Sequence, residues 1–324
     1  MKTACFIVPT GIGASIGGFA GDASCFARNI AKHVRRLIVN PNVVNAACFS
    51  GISPQMLYTE GFALDEFFSE KIALRPTQNN KIGVIFDKSI PKNVLNVHIN
   101  TINAVKTVYG VDIIGYEITK EPVGVEFLEE DSGISSGRIN NTECLIKAGK
   151  ILKDQGAQAI GVVCLFDEPP EDGYSQGEGV DVVGGVEAII SHILTRELKL
   201  PCAHAPAFKD VSISSDIVDA RAAAEYITPT FLPCILLGLQ NAPQIVPIDE
   251  ASNQDITIKD LKALVMPYNS LGCVPVLEAS KRNIPIIAVR ENKTVLDITA
   301  KKLGIEVMEV KSYEEAEEKI RKIK

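Results

Sequence analysis

The sequence contains no tryptophan among its 324 residues, and aromatic residues make up only 6%. Proteins that bind nucleic acid stack bases on aromatic rings and attract phosphates with clustered lysine and arginine. Here 40 acidic residues outnumber 33 basic ones, which gives a formal net charge of −7. We therefore do not expect nucleic acid to be a partner.

No two cysteines stand in a CxxC pair, although the chain has eight of them. A zinc knuckle or a redox dithiol would require such pairs, so neither is predicted. Most of the cysteines lie in apolar runs such as GVVCLF at 161–166, which indicates buried, reduced thiols. No histidines have metal-ligand spacing, and we predict neither a metal nor a cofactor.

Long apolar runs are also missing. No stretch approaches 18 uninterrupted apolar residues, so no membrane span is expected. The N-terminus lacks the apolar region of a signal peptide. We expect a cytoplasmic protein without a membrane partner.

Short apolar runs alternate with helical patterns along the whole chain. The runs KTACFIVP at 2–9 and KIGVIFD at 81–87 are apolar on both faces, as in parallel strands covered by helices. Repeated βα units predict an α/β fold with doubly wound, mostly parallel sheets, in two Rossmann-like lobes with a cleft between them. The βα pattern breaks at 121–138, which predicts one lobe at 1–130 and a second at 131–324. A homo-oligomer is a further candidate for the state of the protein.

The stretch VPTGIGASIGGFAGDA at 8–23 places five glycines directly after the first predicted strand and before a helix. Exposed backbone amides at such a turn favour an anion, such as phosphate or carboxylate. The spacing is neither the dinucleotide pattern GxGxxG nor a GK[ST] phosphate loop. The predicted binding residues of this glycine loop are Thr10, Gly11, Gly13, Ser15, Gly17, Gly18 and Gly21. Asp22 either caps the helix or accepts a hydrogen bond from a ligand hydroxyl.

Two more loops occupy equivalent places between a strand and a helix. The first contains Gly184, Gly185 and Glu187, and the second contains Asn269, Ser270, Gly272 and Cys273, with Glu278 in the helix that follows. Ligands in open α/β sheets bind at the carboxyl ends of the strands. We therefore expect the three loops to line one composite cleft.

Single polar residues add candidates to this cleft. His204 follows a short predicted strand in PCAHAPAF and is the best histidine for proton transfer. Arg138 could clamp a carboxylate, and Asn45 stands near a strand end. The acidic segment at 167–185 is too long for a routine turn, and is either a solvated flap or a lid or cation site.

The segment NSLGCVPVLEASKRNIPIIAVREN at 269–292 resembles the C-terminal nucleotide-binding segment of two-domain glycosyltransferases and nucleotide-sugar 2-epimerases. The resemblance covers 24 of 324 residues. It implies that Gly272 approaches a phosphate and that Glu278 binds ribose hydroxyls.

Two other segments, SLGCVP at 270–275 and AIGVVCLF at 159–166, resemble the cysteine loops of aspartate/glutamate racemases. That resemblance implies that Cys164 and Cys273 act as opposed acid and base. The sequence departs from the family pattern, because Cys164 lacks the following Asn-Thr and Cys273 lacks the following Thr-His.

The glycine-loop opening, PNVVNAA at 41–47 and the IAVREN segment together resemble an uncharacterised family of microbial and plastid proteins. This resemblance spans most of the chain and implies one structural unit, but no activity.

Three functional hypotheses follow. The first is a cytosolic enzyme that binds a small anionic metabolite between two lobes and catalyses proton transfer or isomerisation, with His204, Cys273 and Asp22 as candidate catalytic residues. The alternatives are a nucleotide-sugar transferase or epimerase, and a ligand-binding protein without turnover.

Overall fold

The computed structural model describes residues 3–129, 131–166 and 173–323. The strands in this part of the chain are β1 (Thr3–Phe6), β2 (Arg36–Val39), β3 (Asn45–Ala46), β4 (Phe49–Ser50), β5 (Met56–Tyr58), β6 (Ile72–Arg75), β7 (Ile82–Phe86), β8 (Ile113–Ile118), β9 (Val125–Glu129), β10 (Ser135–Ile139), β11 (Ala159–Leu165), β12 (Cys202–Ala207), β13 (Gln244–Pro247), β14 (Leu261–Pro267), β15 (Ile286–Val289) and β16 (Met308–Val310).

The α-helices of the same ranges are α1 (Ser24–Ala31), α2 (Pro41–Val44), α3 (Gly61–Phe68), α4 (Lys92–Tyr109), α5 (Thr142–Asp154), α6 (Val182–Leu198), α7 (Ala223–Tyr226), α8 (Leu232–Gln240), α9 (Val274–Lys281), α10 (Ala300–Leu303) and α11 (Tyr313–Lys322).

Six strands form the first sheet, in the order β16-β15-β14-β1-β2-β5, and every pair in it is parallel. Helices cover both faces of its central strand. Phe6 of β1 belongs to a core cluster with Ile30 of α1 and Ile320 of α11, whereas the neighbouring Cys5 packs in a cluster with Phe67 of α3 and Val276 of α9. Because successive side chains of a strand point to opposite faces, a strand covered on both faces must be continuously apolar.

The second sheet has four parallel strands in the order β12-β11-β7-β8. Its central strand β11 is buried from Ala159 to Cys164. The two sheets confirm the predicted α/β class with mostly parallel strands.

The two sheets divide the chain differently from the predicted lobes at 1–130 and 131–324. The first sheet takes strands from both ends of the chain, within 3–58 and 261–310, whereas the second lies within 82–207. The second lobe is therefore inserted into the first. The break in pattern at 121–138 is instead the antiparallel pair of β9 and β10. Strand pairing between distant parts of the chain leaves no local mark in the sequence, so the βα pattern does not show which segments share a sheet.

The chain crosses between the two lobes twice, and the crossing segments pair with each other. Strand β6 leaves the first lobe, β13 returns to it, and the two are antiparallel. The largest core cluster contains residues of both sheets, including Phe6 and Val265 of the first and Phe86 and Val163 of the second. The two lobes thus share one hydrophobic core.

Candidate functional site

A cavity of about 350 Å³ lies between the two lobes. The first lobe contributes the glycine loop, through Thr10 and Gly18, and the segment after β2, through Asn45. The second lobe contributes Glu187 of α6 and His204 of β12. We call this space the interlobe cavity. Its volume is in the range of small-molecule sites, which run from about 300 to 1,000 Å³.

Protein acceptors occupy several backbone amides of the glycine loop. The amide of Ser15 donates to the Lys293 carbonyl at 2.7 Å, that of Ile16 to Asn292 Oδ1 at 3.0 Å, and that of Ala20 to Glu225 Oε1 at 2.8 Å. The Gly17 amide donates to Asp22 Oδ1. The loop is therefore held by the protein itself, and this arrangement does not favour a bound anion at these amides.

Most of the other glycine-loop candidates serve packing. The Ser15 hydroxyl accepts from the Lys293 amide at 2.8 Å, and the Gly11 carbonyl accepts from the Ser135 amide at 2.8 Å. Gly13 lies against Val180 and Val295. Gly21 has φ +80°, and an added Cβ there would lie 2.5 Å from the Ala46 Cβ. These residues bring the loop close to its neighbours and do not line the interlobe cavity.

Asp22 lies behind the glycine loop and is not among the residues that line the cavity. Its Oδ1 accepts from the Gly17 amide, whereas its Oδ2 is buried without a hydrogen-bond partner among the described residues. Burial raises the pKa of this carboxyl to about 7. Asp22 supports the loop, and the structure does not place it where it would touch a ligand.

The N-terminus of α6 forms one wall of the interlobe cavity. Asp181 caps the helix, because its side chain accepts from the amides of Val183 and Gly184. Gly184 and Glu187 line the cavity. An added Cβ at Gly185 would lie 2.2 Å from the Ser135 carbonyl, so this glycine allows β10 to approach the helix.

The third predicted loop does not reach the interlobe cavity. The Asn269 side chain donates to the carbonyls of Thr294 and Leu296, and the Ser270 hydroxyl donates to the Pro267 carbonyl. An added Cβ at Gly272 would lie 2.9 Å from Ile298, and Glu278 pairs with Lys281 at 2.7 Å and with Arg282. Asn269, Ser270, Gly272 and Glu278 therefore lie outside the interlobe cavity. Cys273 instead lines a second cavity, described below, together with Thr10 of the glycine loop.

The remaining candidates divide in the same way. Asn45 lines the interlobe cavity, and its Oδ1 accepts from the Tyr58 hydroxyl at 2.9 Å. Arg138 is exposed on β10 and is not among the lining residues. Of the acidic segment, residues 167–172 lie outside the described residues, whereas Asp181 lines the cavity.

The two cysteines of the racemase resemblance are not opposed across one site. Cys164 is buried in β11 and lines neither this cavity nor the second one described below, which Cys273 lines. Burial raises the pKa of Cys273 to about 11 and that of Cys164 well above its usual range. Reactive cysteines are thiolates, so these thiols lack the required ionisation at neutral pH. All eight cysteines are free.

His204 lies at the wall of the interlobe cavity. The sequence predicts it just after a short strand, whereas it lies within β12, where it pairs with Val162 of β11. Its Nδ1 is 3.0 Å from the Ser191 hydroxyl, and that hydroxyl also donates to the Ala188 carbonyl at 3.1 Å. Burial lowers the pKa of His204 to about 4. The imidazole is therefore neutral at pH 7.

Several cavity residues carried no clear mark in the sequence. The Tyr174 hydroxyl donates to Glu225 Oε1 at 3.1 Å, and both residues line the cavity with Phe19 and Tyr226. Phe19 and Tyr174 stack with ring centroids 4.8 Å apart. The one available signal for Tyr174 was its place in the long acidic segment at 167–185. Glu225 lies in α7, and no motif in the neighbouring sequence marks it.

The ionisable side chains that line the interlobe cavity are mainly acidic. Three carboxyl groups line it, those of Asp181, Glu187 and Glu225, and the described lining residues include no lysine or arginine. The backbone and hydroxyl donors around Asp181 and Glu225 show that these groups act as acceptors. In the part of the chain that the structure describes, no three His, Cys, Asp or Glu side chains gather to hold a metal ion.

Comparison with known proteins places these features in a family. A protein of Synechococcus sp., named an uncharacterised lipoprotein, is 37% identical over 318 residues, which cover 97% of this chain and 88% of the relative. Within the described residues, no helix combines the length and the apolar character needed to cross a membrane. The family described as "Protein of unknown function (DUF3326)" matches residues 3–323. The resemblance to an uncharacterised family is thus confirmed, and the chain belongs to the DUF3326 family.

Proposed function

We propose that the protein is an enzyme that binds a small metabolite bearing amine or hydroxyl groups in the interlobe cavity, and that His204 accepts a proton from it. The observation that carries the proposal is a neutral, oriented imidazole at the wall of a cavity lined by carboxylates and aromatic rings. The reaction class is proton transfer or isomerisation.

The hydrogen bonds around Ser191 support the assignment of His204 as a base. A serine hydroxyl has one proton, and the Ala188 carbonyl can only accept it. Both contacts of this hydroxyl are satisfied together only when Nδ1 of His204 carries the proton and donates to Ser191. The other ring nitrogen, Nε2, then has a free lone pair and can take a proton.

The acidic lining favours a ligand that donates hydrogen bonds. Carboxylates attract ammonium and hydroxyl groups, and aromatic faces such as those of Phe19 and Tyr174 attract cations. An anion would be repelled by these carboxylates, so an anionic metabolite is disfavoured as the ligand. A nucleotide sugar is disfavoured for the same reason, and because Gly272 and Glu278 do not line the cavity.

We also propose that the protein works in a reducing compartment such as the cytoplasm. Its eight free cysteines, five of them buried, are typical of that environment. The Synechococcus relative is named a lipoprotein, so the alternative location is the membrane fraction. Fractionation of the native host separates the two locations.

A ligand screen tests the proposed binding. We expect primary amines or polyols to raise the melting temperature, whereas inorganic phosphate and dicarboxylates do not. A ligand at 100 times its Kd stabilises a protein by about 2.7 kcal/mol, which such a screen detects readily. The Glu187→Gln variant should bind the stabilising ligand at least tenfold more weakly. Stabilisation by phosphate or dicarboxylates alone would contradict the proposal.

Proton exchange tests the chemistry. The stabilising ligand is incubated with the protein in D₂O, and loss of a carbon-bound proton is followed by ¹H NMR. We expect His204→Gln to slow this exchange at least a hundredfold, because general bases contribute about 10² to 10⁴ in rate. His33→Gln is the matched control, since His33 contacts Glu317 away from the cavity. Binding without exchange in the wild type would instead identify a ligand-binding protein without turnover.

A further inference from the structure

A second cavity, of about 390 Å³, is also lined by His204. It is bounded by the end of β1 and the segment after it, by α3, by α6 and by the start of α9. Its apolar lining residues are Ile7, Pro9, Leu64, Ala188, Ile189 and Pro275. We call this space the α3–α6 cavity.

Three residues line both cavities: Thr10, Pro41 and His204. Ser191, which contacts Nδ1 of His204, lines only the α3–α6 cavity. His204 therefore lies at the boundary between an acidic, aromatic space and an apolar one. A group held in either space lies next to this residue.

Two polar side chains that line the α3–α6 cavity, those of Glu60 and Asn40, have hydrogen-bond partners in the protein. Glu60 caps α3, with Oε2 accepting from the Phe62 amide at 2.8 Å, and its Oε1 lies 3.7 Å from His192 Nδ1. Asn40 exchanges two hydrogen bonds with the backbone of Val8, at 2.7 and 3.1 Å.

The described lining of this cavity has no lysine or arginine to attract an anion. Burial raises the pKa of Glu60 to about 8 and that of Asp65 to about 6, so the surroundings of both carboxyls disfavour charge. Such a lining suits a guest that needs few hydrogen bonds.

We infer that the α3–α6 cavity binds an unbranched hydrocarbon group, held against His204, the residue that the polar ligand also contacts. The group is either the tail of that ligand or a separate apolar co-substrate. The inference rests on the proposed function only for the position of the polar ligand, because the apolar lining and the shared ring are independent of it.

Straight-chain primary alcohols are the probes. The dissociation constants of 1-butanol, 1-hexanol and 1-octanol are measured by calorimetry with the wild-type protein. Each buried methylene contributes about 0.8 kcal/mol, so we expect affinity to rise about fourfold per methylene until the cavity is full. The absence of binding, or an affinity that does not depend on chain length, would overturn the inference.

A matched pair of variants on α6 locates the binding site. Ile189 lines the α3–α6 cavity, whereas Ile193, one turn further along, lines neither cavity, and both are partly exposed. Ile189→Trp should fill the cavity and weaken 1-octanol at least tenfold, while Ile193→Trp leaves it within twofold. Should Ile189→Trp unfold, Ala188→Leu takes its place. Equal binding by the Ile189 and Ile193 variants would refute the assignment.

The two proposals fail separately. The amine and polyol screen and the His204→Gln variant test the proposed function, and neither experiment contains a straight-chain primary alcohol. Failure of the present inference appears in the alcohol series with Ile189→Trp. Where both ligands bind, competition between 1-octanol and the polar ligand identifies a tail of one molecule, and simultaneous binding identifies a separate co-substrate.

Discussion

Replacement of Asn292 by alanine tests how the glycine loop is held. Asn292 is fully buried, and its Nδ2 donates to the Ile16 carbonyl and to the Tyr313 hydroxyl, both at 2.7 Å. Its Oδ1 accepts from the Ile16 amide at 3.0 Å. One side chain thus fastens both backbone groups of Ile16 to the segment after β15.

The magnitude follows from these three bonds. Each hydrogen bond contributes about 1 kcal/mol net, and a buried group left without its partner costs about 1 to 3 kcal/mol. Asn292→Ala should therefore lower the free energy of unfolding by about 3 kcal/mol or more. For a protein of this size, about 2 to 4 °C per kcal/mol converts this to a fall of roughly 6 to 12 °C in Tm.

Urea unfolding followed by circular dichroism measures the loss, and the shared core of the two lobes predicts a single transition. Asn103→Ala is the control, because Asn103 is exposed on α4. A loss below about 1 kcal/mol, or one equal to that of the control, would refute the view that these bonds fix the loop.

Two further predictions concern the pH dependence of stability and the glycines with positive φ. The pKa of Glu60 is raised to about 8 in the folded protein, so stability from its protonated form is full below about pH 4 and is lost as the pH rises towards 8. Glu60→Gln keeps an acceptor for the Phe62 amide. The free energy of unfolding of this variant, minus that of the wild type, should therefore rise by a few kcal/mol between pH 4 and pH 8. If urea titrations give a difference that does not change with pH, this prediction is contradicted. Gly21→Ala combines φ +80° with a Cβ 2.5 Å from that of Ala46, whereas Gly156→Ala has φ +99° and open space. We expect Gly156→Ala to lower the free energy of unfolding by about 1 to 2 kcal/mol, and Gly21→Ala to lower it by at least 2 kcal/mol more. Equal midpoints of urea unfolding for the two variants would show that the contact with Ala46 relaxes.

Local sequence patterns identified much of what lies near the site. The continuous apolar run of β1 predicted a covered parallel strand, and the structure places helices on both of its faces. His204 was predicted to face a cleft from a loop after a strand; it lines the interlobe cavity, but from within β12. The first inference depends on the side-chain alternation of a strand, which a short segment encodes.

Other local patterns were misleading because several meanings share one form. Glycines at 184 and 185 and at 272 were each predicted in a loop between a strand and a helix. Gly184 and Gly185 instead lie in the first turn of α6, and of the three only Gly184 lines the interlobe cavity. Gly185 and Gly272 allow close packing against Ser135 and Ile298. The short helix α7, Ala223–Tyr226, carries Glu225 to the interlobe cavity.

The sequence by itself determined the class of fold, the places where strands end, and the small residues that close packing needs, because each of these depends on neighbours along the chain. Only the tertiary structure decided that β14 pairs with β1, so that the second lobe is inserted into the first. That pairing selects which loops meet, and it brings the segment after β15 to the glycine loop, where Asn292 contacts Ile16. Contacts between residues far apart in the chain depend on the order of strands in the sheets, and the same βα pattern is compatible with many such orders.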